Sequence, residues 1–199
     1  MDQTPEAFRA ALSSGDTERV NRAIGEVEDM DLEERAALFD DCFELCRDLF
    51  ESDDGYQRQS VIRFAVALYP RLAVRTVGAA ITDDALPGEW TLDDIATHRS
   101  QLRAIYLAAL VDDDGRGRRA AAKALKDLAL SAEMIEADDE LQTMIEELGA
   151  LAEKHGDDAP QKHIEAAYEN VAFHAEQPGS LLPDGLQDAL AQDLSRGDR

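Results

Sequence analysis

Apolar residues recur along this chain at helical spacing, and no stretch alternates in the way of a strand. Stripes at i, i+3, i+4 and i+7 mark one buried helix face. They predict helices near residues 5–13, 16–29, 31–51, 56–69, 71–82, 91–111, 116–130, 138–155 and 159–175, and a weaker one at 183–195. Acidic runs punctuate them: Asp40-Asp41, Asp53-Asp54, Asp83-Asp84, Asp93-Asp94, Asp112-Asp113-Asp114, Asp138-Asp139 and Asp157-Asp158. Most fall where a helix would begin, where a carboxylate caps free N–H groups and meets the positive end of the helix dipole. Loops are expected at 82–90, with Pro87-Gly88, and at 177–183, with Pro178-Gly179. The expectation is an all-α chain, with a helical domain over residues 1–176. Residues 177–199 are expected to be a loop and short helix that caps the last apolar face through Leu186, Leu190 and Leu194, docks on a partner, or is partly disordered.

The helices repeat. A gapless shift of 60 residues lays 31–69 on 91–129, with seven of 39 positions identical, among them Asp53/Asp113, Asp54/Asp114, Gly55/Gly115 and Arg58/Arg118. The apolar pattern agrees, since Val61, Phe64, Ala65 and Leu68 fall on Ala121, Ala124, Leu125 and Leu128. Each unit reads as a helix, an Asp-rich turn and a second helix. Stacked hairpins of this kind bury each unit's apolar face on its neighbours.

The run Asp112 to Leu125 resembles the turn and second helix of a HEAT repeat, matching it at Asp112, Asp114, Arg118, Ala120, Ala124 and Leu125. Gly117 departs from the pattern, where the family has Val, which predicts a helix that packs loosely or starts late. The resemblance covers about 40% of the chain and implies a short α-solenoid of about 8–10 helices. It also implies a curved scaffold that binds macromolecules and carries no catalytic residues. The 60-residue period exceeds the usual repeat of about 40, which points to an insertion around 71–90.

Charge narrows the reading. The chain holds 43 acidic and 20 basic residues, a net charge of -23. Residues 56–126 nevertheless carry 11 Lys/Arg against 8 Asp/Glu. Only four cations are Lys: Lys123, Lys126, Lys154 and Lys162. This Asp-rich, Lys-poor composition resembles that of salt-accumulating halophilic archaea, where a Debye length of ~3 Å at about 1 M salt makes carboxylate self-repulsion tolerable. The amino-terminal residues are polar and acidic, unlike a targeting segment. The most apolar stretch, 104–111, is too short to span a bilayer. The expected location is the cytoplasm.

The basic centre is the candidate partner-binding region. On the helix at 116–130, Arg116, Arg119, Lys123 and Lys126 share one side, nearly opposite the apolar stripe. The corresponding positions one unit earlier are Tyr56, Gln59, Arg63 and Val66. Arg99 and Arg103 add charge nearby, as do Arg71 and Arg75. The resemblance to HEAT hairpins places such a stripe on a concave inner face. The expected function is a non-enzymatic protein–protein interaction scaffold that grips an acidic segment through Arg63, Arg99, Arg103, Arg116, Arg119, Lys123 and Lys126. The alternative is nucleic-acid binding. Phosphate-driven affinity loses ~10³–10⁵ between 50 and 200 mM salt for six to ten contacts, which disfavours it in a salt-rich cell. HEAT-like DNA glycosylases grip DNA with cleft tryptophans, and this chain has one Trp. The competing view of the stripe is a solvated helix face with arginines paired locally at little gain.

Other chemistry is weak. Cys42 and Cys46 lie one helical turn apart, but in an apolar band with Phe39, Phe43 and Leu49, so they read as core. No His or second Cys pair stands at zinc-ligand spacing. Arg116, Arg118, Arg119 and Lys123 follow Asp112–Asp114 where a calcium loop would need oxygen ligands. His163 and His174 share a helix side without interrupting its apolar stripe. No nucleophile–base set can be placed, and an enzyme would need a polar pocket at the Trp90 loop. No metal and no cofactor are expected.

Overall fold

The structure is a computed structural model that describes residues 3–69, 86–135, 137–156 and 158–176. Among these residues it is all-helical, with no strand: α1 (Pro5–Leu12), α2 (Thr17–Asp29), α3 (Leu32–Phe50), α4 (Gly55–Leu68), a 3-10 turn (Pro87–Glu89), α5 (Leu92–Leu110), α6 (Gly115–Met134), α7 (Asp138–Lys154) and α8 (Gln161–Glu176). The expected helices at 71–82 and 183–195, the loop at 177–183, most of the loop at 82–90, and Arg71 and Arg75 lie outside the described residues.

Three of the acidic runs, at Asp54, Asp94 and Asp114, supply helix caps, while Asp138-Asp139 opens its helix without a side-chain cap. Asp16, Asp54 and Asp114 each accept a backbone N–H from the first turn of α2, α4 and α6. Asp31 with Glu34, and Thr91 with Asp94, close reciprocal capping boxes at the starts of α3 and α5. A cap of this kind is worth about 1 kcal/mol. Asp40-Asp41 is different: it lies exposed in the middle of α3.

Helices pack in succession: α1 on α2, α3 on α4, α5 on α6 and α7 on α8. The second members also pack on one another, α2 on α4, α4 on α6 and α6 on α8. These second helices begin at Thr17, Gly55, Gly115 and Gln161, so their spacings are 38, 60 and 46 residues. In that register one buried layer reads Ala23, Val61, Ala121 and Ala167, and the next reads Val27, Ala65, Leu125 and Val171. The first helices α3, α5 and α7 begin at Leu32, Leu92 and Asp138, again 60 and 46 apart. The repeat found by a gapless shift therefore extends to flanking pairs at other spacings.

Gly117 corrects an expectation. Helix α6 starts at Gly115 and Gly117 is buried in it. A Cβ there would stand 3.2 Å from Asp112 Oδ2 and 3.3 Å from its Cγ. The missing side chain makes room for a carboxylate at the joint between two hairpins.

Candidate functional site

The basic region divides by burial into cations that hold the fold together and cations that face outward. Arg58, at the start of α4, donates from Nε and Nη2 to the two Asp112 carboxylate oxygens at 2.6 and 2.7 Å, and from Nη1 to the Ser52 carbonyl at 2.7 Å. This forked pair ties one hairpin's second helix to the next hairpin's turn. Burial pushes the Asp112 carboxyl up, but the Arg58 fork and the Asp114 N–H outweigh it and hold it below its ordinary value.

Arg99 and Arg103 belong to the structural group, which corrects their expected place on a docking face. Arg99 is 2% exposed. Its Nε donates to Glu140 on α7 at 2.9 Å and its Nη2 to the Leu128 carbonyl on α6 at 3.1 Å. Arg103 reaches Glu147 on α7 at 2.8 Å and is largely buried. Both are internal struts, because they occupy the register of Phe39 and Phe43, two core residues of α3. A partner could not reach them without opening the pairs.

The outward group lies on neighbouring helices. Arg119, Lys123 and Lys126 are exposed on α6, one per turn at a pitch of about 5.4 Å. Arg63, half-buried on α4, occupies the register of Lys123. Among the described residues, none of these four takes part in an ion pair. Arg116 is exposed but engaged, with Asp114 accepting from its Nη2 at 2.6 Å while its guanidinium sits 5.8 Å from the Tyr56 ring centre. Tyr56 and Arg116 hold equivalent positions, so this contact bridges the α4 and α6 faces. His163 on α8 was not expected to contribute. Burial, Lys162, Arg118 and Arg119 all lower its pKa.

The aromatic residues mostly face inward. Trp90 packs against Phe39 and His98, with ring centres 5.5 and 4.5 Å apart, and lies 6.5 Å from Tyr69 in a stacked arrangement. Cys42 and Cys46 are buried free thiols. Burial pushes Cys42 up to about 12 and Cys46 further still. Among the described residues no three His, Cys, Asp or Glu side chains gather to hold a metal ion. No described helix is long and apolar enough to cross a membrane.

Among the clefts of the described surface are two of about 400 Å³ or more. One, of about 430 Å³, is lined by Arg118, Gly156, Asp158, Gln161 and Lys162 among others. The other, of about 400 Å³, lies between α3 and α5 over Phe43, Phe50 and Ile105, with Arg47 and Gln101 at its edge. Neither cleft is lined by Trp90. The usable chemistry of the basic face is charge recognition: three exposed cations and the half-buried Arg63 can meet an anionic group without breaking an internal pair. No family model matches the chain, and no curated protein or solved structure is significantly similar to it.

Proposed function

We propose that this chain is a HEAT-like α-solenoid acting as a non-enzymatic protein-interaction scaffold in the cytoplasm of a halophilic cell. Its inner face is the succession α2, α4, α6 and α8, which pack one on the next and share buried layers at matched positions. The partner surface is the outward side of α4 and α6, and the partner contributes an acidic segment. One observation carries this reading: in a chain of net charge -23, Arg63, Arg119, Lys123 and Lys126 stand without ion-pair partners among the described residues. Bringing a carboxylate to them costs no internal salt bridge, whereas recruiting Arg99 or Arg103 would break a pair whose arginine is buried or largely buried.

Nucleic acid is the weaker reading for the same face. Binding of single strands rests on stacking as well as charge, and Trp90 and Tyr69 are committed to the interior. Tyr56, on the same side of α4, already faces Arg116.

The test is capture at about 1 M KCl, where phosphate-driven affinity is weak. The wild type should retain a partner protein that the triple variant Arg119→Glu, Lys123→Glu, Lys126→Glu loses, and should not retard a 20-nucleotide oligonucleotide. The halophilic premise has its own check: helicity should rise with added KCl, and a chain fully folded in dilute buffer contradicts it.

A further inference from the structure

Arg118 stands one hairpin beyond Arg58 and repeats only half of its arrangement. Arg58 Nη1 donates to the Ser52 carbonyl, and Arg118 Nη1 donates to the equivalent carbonyl of Asp112 and also to that of Asp113. The Nε of Arg58 has a carboxylate, but the Nε of Arg118 is buried and has no hydrogen-bond partner. A buried donor without an acceptor is costly, most of all on a charged group.

An acid stands in the right register to complete the pair. Asp112 lies three residues before the start of α6 at Gly115, and Asp158 lies three before the start of α8 at Gln161. Arg118 and Asp158 line the same cleft of about 430 Å³. The charges also come and go together along the chain. Where the arginine position holds Val20, the acid position of the next turn holds Ser52; where it holds Arg58 or Arg118, the acid position holds Asp112 or Asp158. Glu165 also lines the cleft, but Gln161 Nε2 donates to it at 2.7 Å.

The difference between the two joints has a local cause. Asp112 Oδ1 is fixed by the Asp114 N–H at 2.7 Å, as Ser52 Oγ is by the Asp54 N–H at 3.1 Å. The equivalent position in the last turn is Pro160, which has no N–H to offer. Asp158 is accordingly 70% exposed and lies 3.6 Å from His155 Nδ1.

We infer that Asp158 closes onto Arg118 as a second Arg–Asp rung, so that Asp158 is a clasp that shuts the cleft and ties the start of α8 to α6. The clasp has two positions, one with Asp158 on His155 and one with it on Arg118. It does not depend on the docking role of the α4–α6 face.

The experiment follows the Arg118 Nε–Hε resonance in the ¹⁵N-labelled full chain, identified by its loss in Arg118→Lys. Asp158→Asn should shift that resonance and speed its exchange with water by roughly tenfold, the scale of one charge-assisted hydrogen bond. The Arg58 resonance should stay where it is. An Arg118 resonance that Asp158→Asn leaves unmoved, or that moves only with Glu165→Gln, overturns the clasp.

Discussion

Arg58 and Asp112 are joined by a two-pronged salt bridge across 54 residues of sequence, with the Asp112 side chain 2% and the Arg58 side chain 16% exposed. The pair links two hairpins, and three other features depend on it. Gly117 leaves space for the carboxylate, the Asp114 N–H fixes one of its oxygens, and Ser52 accepts the remaining prong of the guanidinium.

Removing one partner of this pair leaves an uncompensated buried charge. Arg58→Ala should lower unfolding stability by about 3–5 kcal/mol. Arg58→Lys should recover only part of it, because an ammonium cannot fork. Urea unfolding at fixed high KCl measures both, and an Arg58→Ala loss under about 1 kcal/mol, the scale of an exposed pair, would show the bridge to be peripheral.

Acid should loosen the same joint. Asp114 is held at about 2, chiefly by its hydrogen bond with the Arg116 side chain and then by the Arg116 N–H. A carboxyl whose folded value is depressed contributes stability that is complete above its unfolded value, here 3.8, and is lost as pH falls toward 2. Stability should therefore fall between pH 4 and 2 with a slope that Asp114→Asn reduces. An unchanged slope in that variant would contradict the assignment.

The glycines separate by what a methyl group would meet. At Gly25, in α2, nothing lies within 4 Å of an added Cβ, so Gly25→Ala should stabilise by about 0.5–1 kcal/mol. At Gly55 a Cβ would stand 2.5 Å from Asp114 Oδ2, the carboxylate that caps α6. Gly55→Ala should destabilise, and so should Gly117→Ala, because the Asp112 carboxylate is fixed by Arg58 and cannot give way. Thermal melts of the three variants check the signs.

Cations of the two groups should respond in opposite ways. Arg99→Ala should cost about 3 kcal/mol or more, since it strips the partly buried Glu140 of its partner and removes a buried side chain that also holds the Leu128 carbonyl. Arg119→Ala should change stability by less than about 0.5 kcal/mol, as surface substitutions do. Equal losses in denaturant unfolding would erase the division between struts and docking residues.

Much of the fold was legible because acidic caps and apolar stripes are local signals. The expected 31–51 and 91–111 match Leu32–Phe50 and Leu92–Leu110, and both begin at a capping box readable from sequence. The expected 116–130 stopped short of Met134, since Ala132 and Glu133 are buried beyond the stripe that defined it. The recurrence at 38 and 46 residues escaped a gapless shift because the connections between hairpins differ in length. The fates of Arg99 and Arg103 were half-legible: the 60-residue register sets them on Phe39 and Phe43, both core. What the sequence hid was their acids, Glu140 and Glu147, which come from another helix 41 and 44 residues away. Arg63, Arg119, Lys123 and Lys126 needed only helical periodicity to be placed on the surface.

The most direct measurement is partner capture at about 1 M KCl by the wild type and by the Arg119→Glu, Lys123→Glu, Lys126→Glu variant, each checked for native helicity. A lysate of the cell that carries this chain supplies the partners, and cross-linking mass spectrometry locates the contact. The account predicts cross-links from an acidic segment of one partner to the outward side of α4 and α6, lost in the variant. The same partners captured equally by both proteins, or cross-links confined to other helices, would contradict it.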